Sequence, residues 1–86
     1  MNKKYVVYIQ TLNQLKQEFS DVKTEYFNIA TDATYNFYNK CMEAVENGFL
    51  PIFKQNDENE YMEEHFSNGV ITVMIILDLC GDVDNT

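Results

Sequence analysis

Apolar side chains recur at alternating steps of three and four through Leu12, Leu15, Phe19, Val22, Tyr26, Ile29 and Ala33. That interval aligns one stripe along an α-helix. Lys16, Gln17, Glu18, Lys23 and Glu25 fill the positions between, so the pattern predicts a helix over roughly residues 10–30. A second helical pattern follows in Phe37, Cys41, Ala44 and Val45, with Thr31-Asp32 offering an N-cap and Gly48 placed for a left-handed C-terminal turn. Leu50-Pro51 then enforces extended backbone, because the proline ring disfavours a helical residue before it.

The last third carries two periods at once. Val70-Ile71-Thr72-Val73-Met74-Ile75-Ile76-Leu77 is rich in β-branched residues, and Ile71, Val73, Ile75, Leu77 and Leu79 would form one aliphatic strand face. Met62, Phe66, Gly69, Val73, Ile76 and Cys80 nevertheless keep helical spacing straight through Asn68-Gly69. A glycine inside a helix costs only about 1 kcal/mol, and the helical reading is preferred here, over roughly residues 57–80. The expected fold is mainly α, a single small domain over residues 1–86 with about three helices. The alternative is an α+β fold in which a small sheet pairs residues 5–9 with 70–79.

Composition narrows the class without changing that expectation. The chain is 86 residues long, 45% hydrophobic and 14% aromatic, which places it among folded domains and away from disordered chains. A domain this small buries roughly 60–65% of its unfolded surface, so its core is marginal. The apolar run Tyr5–Ile9 stops at Gln10 with no small-residue cleavage site after it, and Val70–Leu77 is too short to span a bilayer. Two cysteines, Cys41 and Cys80, are too few for a disulfide framework and fit buried thiols in a reducing compartment. The expectation is a soluble, cytoplasmic protein. The absence of Arg and Trp, with abundant Asn, Tyr, Ile and Lys, points to AT-rich codons and a low-GC bacterium or its phage.

Charge is distributed unevenly. Residues 1–54 hold six lysines against Glu18, Asp21, Glu25, Asp32, Glu43 and Glu46, and balance to zero. The whole net charge of −8 comes from Asp57, Glu58, Glu60, Glu63, Glu64, Asp78, Asp82 and Asp84, with no Lys or Arg after Lys54. A one-sided field of this sign repels nucleic acid and anionic membrane and attracts basic surfaces. On the expected helix Asp57, Glu60 and Glu64 share one face, with Cβ atoms about 5–6 Å apart. Such a row of carboxylates imitates a line of phosphates for Arg and Lys side chains. Asp78, Asp82 and Asp84 would extend it.

Catalytic chemistry is poorly supplied. His65 is the only histidine, and Glu63 and Glu64 beside it do not stand one helical turn away. Cys41, Cys80 and His65 lack the paired spacing of a structural zinc site, and Met62 occupies the position a Glu-x-x-His motif requires. Asp78, Gly81, Asp82 and Asp84 do not follow the calcium-loop order. No cofactor, metal or catalytic residue is expected. Tyr35, Phe37 and Tyr38 cannot all enter one small core, which marks them as candidate interface aromatics.

These features predict a non-enzymatic binding protein whose acidic residues engage a basic, nucleic-acid-handling protein, with no direct contact to nucleic acid or membrane. In size and charge the chain resembles the small acidic inhibitors that phages direct against host nucleases or CRISPR effectors, a resemblance that would place it in the host cytoplasm. The alternative function is a helical structural or regulatory module that homodimerises through the Leu12–Ile29 stripe and the aromatic cluster.

Overall fold

The computed structural model describes residues 4–57 and 61–80. It contains six strands and one helix in the order β1 (Tyr5–Asn13), β2 (Glu18–Phe19), β3 (Lys23–Phe27), α1 (Ala30–Glu46), β4 (Leu50–Asp57), β5 (Tyr61–Ser67) and β6 (Ile71–Leu79). The strands form one antiparallel sheet in the order β2-β1-β6-β5-β4, with β3 also on the outer side of β1. With 54% strand and 23% helix, the expectation of a mainly α, three-helix domain is overturned. The pairing proposed for the α+β alternative is present and longer than expected: Tyr5–Asn13 runs against Ile71–Leu79 without a break.

The first and third helical expectations fail at hairpin turns. The side chain of Asn13 accepts hydrogen bonds from the backbone N–H of Leu15 and of Lys16, both at 3.1 Å, and Gln17 sits at φ 57°. An Asx turn of this kind offers the backbone an alternative to helix. Leu15 is consequently 79% exposed on the turn, and Phe19, Val22, Tyr26 and Ile29 are exposed as well. The three-and-four spacing of that stripe is a coincidence of strand and turn lengths. Asn68 repeats the device, accepting from Val70 N–H (2.9 Å) and Ile71 N–H (2.8 Å), while Gly69 adopts φ 98°. The expected third helix is therefore the β5–β6 hairpin, whose odd-numbered β6 face of Val73, Ile75 and Leu77 is buried.

The one helix lies where the second pattern placed it. Its N-cap is Ile29, which leaves Thr31-Asp32 inside the first turn, where Asp32 complements the helix dipole. Gly48 closes it at φ 91°, with Gly48 N–H donating to Val45 O (3.0 Å) and Phe49 N–H to Ala44 O (3.0 Å). Leu50-Pro51 opens β4, as the proline requires.

Topology then decides which surfaces are covered. β3 sits at one edge of the sheet and β4 at the other, so α1, which joins them, must cross a single face. It buries Ala33, Phe37, Cys41 and Ala44 against Val7, Phe66, Val73, Ile75 and Leu77. Among the described residues no helix is left for the opposite face.

The open face of the sheet as candidate functional site

Side chains alternate across a strand, so the register assigns every strand residue to the helix side or to the open side. On the open side β1 presents Val6, Tyr8, Gln10 and Leu12. β6 presents Thr72, Met74, Ile76 and Asp78 beside them. β5 adds Tyr61, Glu63, His65 and Ser67, and β4 adds Phe53, Gln55 and Asp57. Tyr8, Ile76, Glu63 and Gln55 share one cross-strand row, and Gln10, Met74, His65 and Phe53 the next. The face is thus an apolar and aromatic floor carrying carboxylates.

Its centre is a hydrogen-bonded cluster. The Tyr61 hydroxyl donates to Glu63 Oε1 at 2.5 Å, and His65 Nε2 stands 2.5 Å from Glu63 Oε2. The ring of Phe53 packs on His65 with centroids 4.8 Å apart. Partial burial works to raise the Glu63 pKa, but the Tyr61 and His65 hydrogen bonds together outweigh it and hold this carboxyl below its ordinary range. The phenols respond in the opposite sense. Burial, then the bond to Glu63, pushes Tyr61 up, while burial and the charges of Asp78 and Glu63 raise Tyr8. Glu63 is therefore an anion fixed on both oxygens, with Tyr8, Tyr61 and Asp78 close enough to feel one another's charge.

The charged residues are segregated between the two faces. The lysines borne by strands, Lys23 and Lys54, lie opposite Ile9 and Glu64 on the helix side. Lys54 approaches Glu64 at 4.0 Å, and Lys40 of the helix pairs with Glu25 at 3.1 Å. The open side of the strands carries Asp57, Glu63 and Asp78 and no lysine among the described residues. Asp57 and Asp78 flank Tyr61 two strand spacings apart, about 10 Å, at the end of the sheet where β4 hands over to β5.

The acidic row expected from the sequence is divided by this geometry. Asp57, Glu63 and Asp78 come together on the open face, whereas Glu64 points to the helix side, beside Lys54 and the Cys41 thiol. The helical face shared by Asp57, Glu60 and Glu64 does not exist, because Asp57 and Glu64 lie on different strands and different faces. Glu58, Glu60, Asp82 and Asp84 lie outside the described residues. Of the aromatics, Phe37 is fully buried in the core, while Tyr35 and Tyr38 are exposed on α1.

Tyr8, Tyr61, Phe53 and His65 were not anticipated as partners of the acids. The signal was present as a period of two in Tyr61, Glu63, His65 and Ser67, which on a strand puts Glu63 and His65 side by side. Among the described residues no group of three or more His, Cys, Asp and Glu side chains is placed to hold a metal ion, and no helix is long and apolar enough to cross a membrane. No protein-family model matches the chain, and no solved structure is significantly similar to it.

Proposed function

We propose that this chain is a small acidic, non-enzymatic binding protein that engages a basic protein surface in the cytoplasm through the open face of its sheet. The observation that carries this reading is the segregation of charge across the sheet. Lys54 stands 4.0 Å from Glu64 on the helix side, while Asp57, Glu63 and Asp78 lie among aromatic side chains on the other, where no strand lysine faces them among the described residues. A carboxylate beside an aromatic ring suits Arg and Lys, whose heads take charge-assisted hydrogen bonds and whose planes or stems pack on rings. The remaining net charge adds long-range attraction of the same sign. A nucleic-acid-handling protein is the partner class we favour, because its basic groove is already shaped for an anionic ligand. Occupying that groove would inhibit it, as the phage inhibitors of similar size and charge do.

The test separates the two faces. Immobilised protein is exposed to a bacterial lysate and eluted with duplex DNA, in parallel with Glu63→Lys/Asp78→Lys and with Glu64→Lys. The wild type and Glu64→Lys should retain the same DNA-released protein, and the double variant should lose it while keeping a native circular dichroism spectrum. Undiminished capture by the folded double variant would overturn the reading.

A further inference from the structure

Glu63 is fixed at both oxygens of its carboxylate by its own strand. The Tyr61 hydroxyl bonds Oε1 from one side, and His65 Nε2 meets Oε2 from the other. An ionised carboxylate only accepts, so Nε2 carries the shared proton. With one donor two residues before it and the other two residues after it, the carboxylate plane is set along the strand and cannot rotate freely. A carboxylate has about four acceptor sites, and these two bonds use one on each oxygen. One site per oxygen is left, and the remaining pair is held side by side. The Glu63 side chain is 19% exposed, so a group that takes this pair must shed water to reach it.

The surroundings are apolar on the β6 side. Ile76 is the cross-strand neighbour of Glu63, Tyr8 lies beyond it on β1, and Phe53 of β4 stands in the next row against His65. Competing positive charge is distant. Lys54 lies on the helix side. Lys4 enters β1 opposite Cys80, two rows from Glu63 or about 13 Å along the strands, with Asp78 in the row between. Among the described residues the one group beside Glu63 able to carry positive charge is His65, whose Nε2 is already committed to Oε2.

We propose that the group this face recognises on its basic partner is the guanidinium of arginine, taken by Glu63 in a two-bond fork, in preference to the ammonium of lysine. The inference rests on the reading of the open face given above and names its ligand. Three properties of arginine match the site. Two parallel N–H bonds from one planar head fit the two acceptor sites left on Glu63, whose plane Tyr61 and His65 fix in advance. A guanidinium is more weakly hydrated than an ammonium, so it loses less on reaching a carboxylate that is mostly buried. Its plane can lie against the ring of Tyr8 or Phe53, and its methylene stem against Ile76. An ammonium is a compact point charge that gains the attraction without the fork. Tyr61 is a positioning residue in this scheme, because it touches the carboxylate and acts on the ligand by setting the carboxylate plane.

Calorimetric titration of the full chain with deca-arginine and with deca-lysine, at physiological salt, reads the preference directly, and amide NMR locates each peptide. Deca-arginine should bind about tenfold more tightly, the equivalent of one further charge-assisted hydrogen bond, with shift changes at Tyr8, Glu63 and His65. Tyr61→Phe keeps the net charge and frees Oε1, and it should lose most of the arginine-to-lysine preference. Glu63→Gln, which replaces one acceptor oxygen by a donor, should bring the ratio close to one. Circular dichroism confirms that both variants are folded. Equal affinities for the two peptides, each bound on the open face, would overturn the guanidinium assignment and leave that face a general surface for cations. An arginine preference that both folded variants keep in full would overturn the fork at Glu63. Binding of neither peptide would remove the open-face reading itself and this inference with it.

Discussion

The two faces of the sheet are built from the same strands, and neighbouring residues have opposite environments. Ile75 is fully buried under α1, and Ile76, one residue later, lies on the open side next to Tyr8 and Glu63. On the helix side apolar side chains interlock, and Lys40 pairs with Glu25 and Lys54 with Glu64. On the open side an apolar floor lies under a fixed carboxylate, and no element among the described residues covers it. The difference follows from connectivity: a single helix joining two opposite edges can shield one face only. Packing is concentrated on the helix side, and the recognition we propose is assigned to the other.

The largest expected effect comes from the covered side. Phe37→Ala removes a fully buried ring from the centre of the core and should destabilise the fold by about 3–5 kcal/mol, read from urea unfolding. For a domain this small that approaches its whole stability. The sharpest contrast is between the two isoleucines. Ile75→Ala should cost about 2–5 kcal/mol and Ile76→Ala about 1 kcal/mol. Equal losses would mean that the open side is as tightly packed as the core.

The Cys41 thiol gives a chemical version of the same contrast. Burial, reinforced by the neighbouring Glu64 carboxylate, pushes it up to about 12 from 9.0. Its folded pKa lies above the unfolded one, so the stability it contributes is complete below pH 9.0 and is lost as the pH climbs towards 12. Unfolding curves should show a decline across that window that Cys41→Ala lacks, and iodoacetamide should modify Cys41 at neutral pH at the rate of global opening. On the open side the sign reverses. Glu63 titrates below its ordinary range when folded, so its contribution is present above the ordinary carboxylate pKa and disappears as the pH falls through the folded one. Glu63→Gln should flatten that acid limb, a small effect because the group is partly solvated.

How much of this was legible in the sequence depended on the segment. The helix over residues 30–46 was readable from Phe37, Cys41 and Ala44 together with Gly48, because periodicity and stop signal agreed. The segments around Asn13 and Asn68 were misread for one shared reason. An asparagine that bonds its own backbone two and three residues on breaks a helix without breaking a three-and-four count of apolar positions. The β-branched run before Leu77 carried the correct signal, and tertiary pairing with Tyr5–Asn13 decided it.

At the site, the imbalance of charge was visible in the bare composition, but its division between faces was not. Glu63 and Glu64 are equivalent by charge count. Only the strand period of two sends one to the open face and the other to Lys54. The clustering of Tyr8 with Glu63 and Asp78 depends on register between strands far apart in sequence, which no local pattern encodes.

The central claim is that recognition of basic surfaces belongs to the open face. The most direct measurement is an amide NMR titration of the full chain with a deca-arginine peptide at physiological salt. The account predicts that the largest shift changes map to Tyr8, Glu63, His65 and Asp78 and that they vanish in Glu63→Lys/Asp78→Lys. Changes centred instead on α1 or around Lys54 and Glu64, and unaffected by that double reversal, would contradict it.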